Sequence, residues 1–450
     1  MSAAGREGKV AVYGMGYVGK AVAAVMLRAG FEVVGVDASR EKVEELNKGS
    51  VRYVEAEVRE AIARGLREGA FKATVDGVEA SRECRVKIIT VPVYLGRDLQ
   101  PDFSSFEAAV RAVGRGSEEG DLVIVESSVP PGTTLSLVKP ALEEESGLEV
   151  EEQLLLAYSP ERVYVGRAVK DIEERYPKVV AGVGPRSTGA AVKLYSKVAK
   201  RGVVVLSSPT AAELEKLAEG VYRDVNIALA NELAKLAAAL GVDYLEVREA
   251  ANTQPYCHLH MPGVGVGGYC IPVYPRFLLY TAAKSGLELP LVEVARRVNL
   301  SMPAYTADLV DAVARRLRVE EPKVVILGLA FRGGVDDTRL SPTYDLLGAL
   351  LKKGYEDVLV HDPYVERDAQ LEALGVELVR GFGEALRGRD IVVVATDHPE
   401  YAGLTLSLLK SASGRERIGV VDGRLVVKDW RTPPPGVVYA AIGRPMVANL

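Results

Sequence analysis

The strongest constraint on the fold of this chain is a series of short apolar runs alternating with helix-patterned segments, which occurs twice. The first series contains Val10–Tyr13, Phe31–Val36, Val86–Val91, Leu122–Val125, Leu154–Ala157, Val179–Val183 and Val203–Leu206, mostly bounded by Gly, Pro or Asp. Ala21–Ala29 and Ser104–Arg115, lying between members of that series, carry helical apolar spacing. Such alternation makes consecutive strands parallel and covers both faces of the sheet with helices. A second series starts at Lys323, with candidate strands Val324–Leu327, Val358–Val360, Val376–Val379, Ile391–Ala395, Ile418–Val421 and Val437–Ala441. Between the two series, Thr210–Leu240 has no Pro, one Gly and many helix formers, so it predicts one helix of about eight turns. Thr210 and Glu213 have capping-box spacing at its start, and Gly241 follows as a stop. Helix continues through Ala250, a Gly-, Pro- and His-containing loop runs from Asn252 to Pro275, and helices resume from Arg276 to Arg318. The expected layout is therefore two doubly wound α/β domains, residues 1–208 and 319–450, joined by a helical domain at 209–318.

Composition narrows the class. A length of 450 residues accommodates two or three domains, each able to bury a core. The formal net charge of −5 argues against bulk nucleic-acid binding and against a basic membrane-surface protein. No stretch approaches the ~20 apolar residues of a membrane span, and the first strand follows an N-terminus without a secretory apolar region. Only Cys84, Cys257 and Cys270 occur, so a disulfide framework is not expected, and the reducing cytoplasm is the expected compartment. The cysteines are then read for chemistry first.

Gly14-Met15-Gly16-Tyr17-Val18-Gly19 directly follows the first strand and opens a helix. In such a turn Gly14 permits the bend, Gly16 lets a pyrophosphate reach the backbone, and Gly19 lets helix and sheet approach. The Tyr17 and Val18 amides would face phosphate oxygens at the helix start. Asp37 ends the next strand about 20 residues on, where an acid bonds a ribose hydroxyl and disfavours a 2′-phosphate. This points to NAD; the alternative is a glycine-rich turn in a nucleotide-free domain. A second glycine-rich string, Gly263-Val264-Gly265-Val266-Gly267-Gly268-Tyr269-Cys270, ends in a thiol. Glycines let a substrate come close to such a thiol, and a thiolate beside a nicotinamide fits aldehyde oxidation through a thiohemiacetal. A buried, inert cysteine is the alternative. Lys216, Gly220 and Arg223 share one face of the long helix, and a mid-helix glycine, which costs ~1 kcal/mol against Ala, hints at a close neighbour there. The other reading is a solvated charged face. His258, His260, His361 and His398 are too scattered for a metal site, and none is expected.

Taken together, GMGYVG, ESSVPPGTT, SPER, EKL…RDVNIALANELA, PGVGVGGYC, GLAFRGGVDDTR and VVDGR resemble the UDP-glucose/GDP-mannose dehydrogenase family, in order and in approximate spacing, over nearly the whole chain. The resemblance implies two Rossmann-like doubly wound domains, the first for NAD and the last for a UDP-sugar, around a helical dimerisation core. It also implies a four-electron oxidation of a sugar C6 alcohol to a carboxylate by two NAD⁺. SPER, RDVNIALANELA and GGYCIPV look more like the UDP-N-acetylhexosamine branch than the UDP-glucose branch. Carried over residue by residue, Cys270 matches the nucleophile, Lys216 the lysine that assists alcohol oxidation, and Glu161 the acid that serves thioester hydrolysis. Gly14, Gly16, Tyr17, Val18, Gly19, Asp37, Lys42, Thr90, Ser128 and Arg339 fall at cofactor positions. Arg162, Lys216, Arg223, Tyr256, Gly267, Phe331, Arg332 and Arg424 fall at substrate positions. A homodimer or higher homo-oligomer is implied as well.

Four positions depart from the family pattern. Gly220 replaces an asparagine, Tyr274 an acid four residues after the cysteine, Gln254-Pro255-Tyr256 a segment with a cation, and Leu340-Ser341-Pro342 a segment with an acid. They leave two alternatives to a UDP-N-acetylhexosamine dehydrogenase, namely a UDP-glucose 6-dehydrogenase or a catalytically weakened nucleotide-sugar-binding protein. A two-electron enzyme that stops at aldehyde or thioester is a third.

Overall fold

The computed structural model of the chain describes residues 6–51 and 54–450. By internal contacts it divides into two compact units: one with the chain to Glu219 plus Arg276–Leu287, the other with Gly220–Pro275 plus Glu288–Leu450.

In the first unit, β1 (Lys9–Tyr13), β2 (Glu32–Val36), β3 (Phe71–Thr74), β4 (Val86–Ile89), β7 (Leu122–Val125), β8 (Leu155–Tyr158), β9 (Lys178–Gly182) and β10 (Val203–Val205) form one sheet; β5 (Tyr94–Leu95) and β6 (Pro101–Asp102) form a separate ribbon. The sheet order is β10-β9-β8-β7-β4-β1-β2-β3. Every pairing is parallel except β8 with β9. From β3 to β8 this is the doubly wound dinucleotide-binding order, whose direction reverses between β1 and β4. The strands are apolar on both faces, and Ala21–Leu27 of the Tyr17–Arg28 helix pack on Val10, Val12, Ile88 and Ile124. β3 escaped the sequence reading because FKAT is short and half polar: its Lys72 is exposed while Phe71 and Ala73 are buried.

The second unit has a sheet of the same kind. Its strands are β11 (Val324–Leu327), β12 (Val358–His361), β13 (Leu378–Val379), β14 (Ile391–Val394), β15 (Ile418–Asp422), β16 (Val437–Ala441) and β17 (Arg444–Asn449), in the order β13-β12-β11-β14-β15-β16-β17. Only β16 with β17 is antiparallel. β17 was not expected from sequence; its RPMVAN pattern is half exposed and follows β16 after only two residues. The helix Pro290–Leu317 lies in the same core, where Val313 and Leu317 fill the space that a side chain at Gly419 would need.

The long helix runs from Pro209 to Leu240, as the sequence predicts to within one residue. Its start differs from the expected capping box. Ser208, not Thr210, caps it, its hydroxyl accepting from Ala211 N at 3.2 Å, with Pro209 at the first helical position. Glu213 is instead buried, accepting from the amides of Gly132 (2.5 Å) and Thr134 (2.7 Å) at the end of the VPPGTT loop. That tertiary pairing outcompetes the local one.

Candidate active site

In the first unit the candidate residues gather where the parallel strands end, at the switch point between β1 and β4. Gly14 has φ +92° and donates to Val36 O at 2.7 Å, a bend closed to an ordinary L-residue. A Cβ at Gly19 would overlap the Gly14 carbonyl oxygen, so that glycine is fixed by helix–turn packing. A Cβ at Gly16 would meet nothing within 4 Å. The backbone there borders open space at a helix N-terminus, the geometry a pyrophosphate needs. Asp37, following β2, accepts from Met15 N at 3.0 Å and pairs with Lys42 at 2.8 Å, bringing these predicted cofactor residues together beside the turn. The Thr90 hydroxyl lies 2.9 Å from both the Tyr13 and Gly14 carbonyl oxygens and braces the bend. Tyr17 OH donates to Glu55 and accepts from Gly166 N at 2.8 Å, anchoring the first helical turn. Val18 is partly buried against this core, and Ser128 lies half-buried beyond β7. The residues present thus fit a dinucleotide.

A second cluster lies beyond β7 and β8. Glu161 is 7% exposed; its Oε1 accepts from Arg162 N at 2.8 Å and its Oε2 pairs with Lys178. Lys178 also bonds Glu126 at 2.8 Å, and Tyr195 OH donates to Glu126 at 2.5 Å. Burial pushes the Glu126 carboxyl up, Lys178 opposing this and the Glu161 charge adding to it. Burial alone would lower the Lys178 ammonium, but the two carboxylates outweigh it and hold it above its ordinary value. The Lys216 ammonium, on the long helix, donates to the Glu161 carbonyl oxygen. Arg162 reaches the same helix, 3.3 Å from Glu219 and 3.5 Å from Glu215. Burial and the like charge of Glu219 push the Glu215 carboxyl up to about 7, against the pull of Arg162.

Sequence reasoning gave no role to Glu126 or Glu215, which open the ESSVPPGTT and EKL strings, and missed Lys178. The Glu215/Glu219 spacing, a like-charge pair one turn apart, was a readable signal. Nothing local marks Lys178, whose burial is set by strands far away in sequence.

In the second unit the candidate thiol ends the glycine-rich loop. Cys270 is exposed, Cys257 half-buried and Cys84 buried, with burial pushing the Cys84 thiol up to about 12. A thiol so held is a poor nucleophile. The glycines before Cys270 are shaped by packing. A Cβ at Gly263 would sit 2.6 Å from Arg424 Nη1, at Gly265 2.7 Å from Pro342, at Gly267 2.7 Å from Phe331 Cβ, and at Gly268 (φ +83°) 2.9 Å from the Phe331 ring. The neighbouring side chains and backbone by themselves require small residues at these positions. Gly268 N donates to Arg339 O at 2.9 Å, and the Arg339 guanidinium lies over the Tyr269 ring while chelating Asp337 at 2.6 and 2.9 Å. Arg424 pairs with Asp397 at 2.8 Å, and Asp397 also accepts from Gly333 N at 3.2 Å. The Asp397 side chain is exposed; desolvation by the groups packed around it pushes its carboxyl up, but Arg424 outweighs this and holds it below the ordinary range. Phe331, Arg332, Gly267, Arg339 and Arg424 are thereby placed around the carboxyl ends of β11, β14 and β15.

Arg223 and Tyr256 are not drawn into that group. Arg223 is exposed on the long helix, and Tyr256 is 91% exposed on its loop. The neighbouring Asp224 and Asn231 are structural: Asp224 pairs with Arg296 at 2.8 Å and accepts from Asn299 at 2.8 Å, and Asn231 bonds Asn299 and Gly263 N at 3.0 and 2.9 Å.

The family models of UDP-glucose/GDP-mannose dehydrogenase match the chain in three parts: the NAD binding domain at residues 8–199, the central domain at 210–301 and the UDP binding domain at 325–429. The UDP-N-acetyl-D-mannosamine dehydrogenase of Pyrococcus horikoshii is 37% identical over 442 residues, 97% of this chain and 99% of that protein. A solved UDP-D-ManNAc dehydrogenase from the same organism superposes with a TM-score of 0.88 at 35% identity, covering 97% and 99% of the two chains. A UDP-glucose dehydrogenase from Pyrobaculum islandicum gives 0.86 at 31% identity, covering 99% of each. The chain belongs to the UDP-glucose/GDP-mannose dehydrogenase family. It is an oxidoreductase that oxidises a nucleotide sugar with NAD. Among the described residues no helix is long and apolar enough to cross a membrane.

Proposed function

We propose that this enzyme oxidises the C6 alcohol of UDP-N-acetyl-D-mannosamine to the uronate, with residues 1–208 holding NAD, 209–318 forming a helical dimerisation domain that carries the cysteine loop, and 319–450 holding the UDP moiety. The observation that carries the four-electron course is Cys270: among the described residues the one thiol that is exposed ends the glycine-rich loop. The choice of sugar is supported by the SPER and GGYCIPV strings and by the name of the Pyrococcus relative.

Gly14, Gly16, Tyr17, Val18, Gly19, Asp37, Lys42, Thr90, Ser128 and Arg339 would hold NAD, which when bound accepts a hydride in each of the two oxidations. The Lys216 ammonium stabilises negative charge developing on the C6 oxygen as its proton leaves. Cys270 Sγ then adds to the aldehyde carbon, its proton going to the oxygen, to give a thiohemiacetal. Oxidation of that adduct leaves a thioester on Cys270. Water adds to it, Glu161 taking a proton, and the C–S bond breaks to return the thiolate and release the carboxylate. Arg162, Arg223, Tyr256, Gly267, Phe331, Arg332 and Arg424 orient the nucleotide sugar. Overall one alcohol, two NAD⁺ and one water give one carboxylate, two NADH and three protons.

Self-association is part of the proposal. Tyr222, Leu229 and Leu236 recur every seven residues on the long helix, with Leu240 one turn further, and all four are exposed.

The experiment counts NADH per sugar consumed over a panel of UDP-sugars with excess NAD⁺. Two per sugar, fastest with UDP-N-acetyl-D-mannosamine, is the expected result. Cys270→Ser should abolish uronate formation while leaving NAD binding near normal, and retained turnover would remove the covalent step. Gly220 and Tyr274, in place of an amide and an acid, favour a second reading in which the thioester is not hydrolysed. A count below two, or an adduct trapped on Cys270, would support it. Binding of a UDP-sugar without NADH would instead indicate a nucleotide-sugar-binding protein.

A further inference from the structure

The two departures at Gly220 and Tyr274 meet. A Cβ built on Gly220 would overlap Cδ2 of the Tyr274 ring and lie 3.1 Å from Cε2 and 3.3 Å from Cγ. Gly220 is buried within a 32-residue helix, and Tyr274 is only 5% exposed. An alanine at 220 would favour the helix by ~1 kcal/mol, so the missing side chain is explained by what occupies its place, not by helix preference. A residue larger than glycine at 220 and the ring at 274 exclude each other.

The consequence reaches the thiol. The backbone N–H of Tyr274 donates to the Cys270 carbonyl at 3.0 Å, and that of Val273 to the same oxygen at 3.2 Å. Cys270 therefore opens a turn that closes on the residue whose ring is seated on Gly220. At the other end of the loop, Gly268 donates to Arg339 O and packs under Phe331. The exposed thiol is held between two fixed points, one of them the Gly220 seat.

We propose that Tyr274 is a positioning residue: its ring, docked in the notch left by Gly220, sets the orientation of Cys270. The phenol takes no part as a base; the ring edge fills the volume a side chain at 220 would occupy and ties the cysteine turn to the long helix. The value of this arrangement to catalysis rests on the role assigned to Cys270 above, but the arrangement itself is read without turnover.

The test is a double-substitution cycle in the full chain, with Cys257→Ser throughout so that iodoacetamide reports Cys270. The rate and pH dependence of alkylation are followed by peptide mass spectrometry. Gly220→Ala should displace the ring and change the alkylation rate at least 5-fold or shift its pH midpoint. In a Tyr274→Ala background the same substitution should change neither by more than 2-fold. Tyr274→Phe keeps the ring and should match the parent in alkylation. NAD affinity, expected unchanged in every variant, controls for folding. Equal effects of Gly220→Ala in both backgrounds, or none in either, would overturn the proposal. So would loss of the parent behaviour in Tyr274→Phe, because the hydroxyl would then be the active part. If no UDP-sugar is oxidised, the functional reading fails while the cycle still decides this one.

Discussion

The Lys178 ammonium lies between Glu161 and Glu126 in the interior of the first unit, with all three side chains at most 6% exposed. One buried cation thus faces two buried carboxylates. Removing it leaves charge with no partner in a poorly solvated place, and such losses cost roughly 3–5 kcal/mol. Lys178→Met is therefore expected to lower unfolding free energy in urea by about that amount, whereas Glu126→Gln, which removes one of the opposing charges, should change it by less than ~1 kcal/mol. A Lys178→Met protein as stable as the parent would show that the carboxylates are neutral in the fold.

Gly16 and Gly19 separate binding from folding. Gly16→Ala adds a methyl to open space and should leave stability within ~1 kcal/mol, while it obstructs the pyrophosphate and weakens NAD binding at least ~10-fold. Gly19→Ala drives a methyl into the Gly14 carbonyl and should cost ~1–3 kcal/mol of stability. Calorimetric titration and thermal melts on the two variants test the contrast. Equal NAD affinity in Gly16→Ala and parent would refute the cradle.

What the sequence disclosed follows from range. Both parallel sheets were legible because buried parallel strands are apolar on both faces, so Val10–Tyr13 and Ile391–Val394 announce themselves. Phe71–Thr74 was not, since an outer strand with one polar face looks like a loop. The long helix was legible from composition, but its cap was not: Glu213 obeys a local rule in sequence and a distant pair of amides in the fold. At the candidate site, glycine strings and charged motifs were readable as strings. That Gly220 and Tyr274 are one feature, or that Lys178 sits behind Glu161, depends on partners 54 and 17 residues away.

The Glu215 carboxyl supplies a pH dependence of defined sign. Its value in the fold, about 7, lies above the ordinary carboxyl value near 4.5, so between these limits the folded chain keeps a proton that the unfolded chain has lost. Stability from this residue is present at the acidic end of that window and is lost as pH rises through about 7. With a quarter of the side chain exposed, the effect should be on the order of 1–2 kcal/mol. Relative to Glu215→Gln, the parent should lose that much between about pH 5 and about pH 8 in urea titrations. A parallel course for the two proteins would place the titration elsewhere.

Asp37 combines a contact seen in the fold with the proposed reading of a ribose, and one substitution would confuse the two. It accepts from Met15 N within the glycine turn, and it stands with Lys42 where a ribose hydroxyl would be read. Asp37→Ala removes both, so NAD affinity should fall by ~1–3 kcal/mol, the scale of a hydrogen bond to a charged group. Asp37→Asn keeps an acceptor for Met15 and loses only the charge, so a smaller fall is expected. NADP provides the sharper measurement: without the carboxylate, a 2′-phosphate no longer meets negative charge, and Lys42 is released to face it. The ratio of NAD to NADP affinity should therefore narrow in both variants, even though only Asp37→Ala disturbs the turn. Unchanged NAD affinity in Asp37→Ala would take the ribose away from this residue. An unchanged ratio in both would mean that cofactor preference is decided at another position.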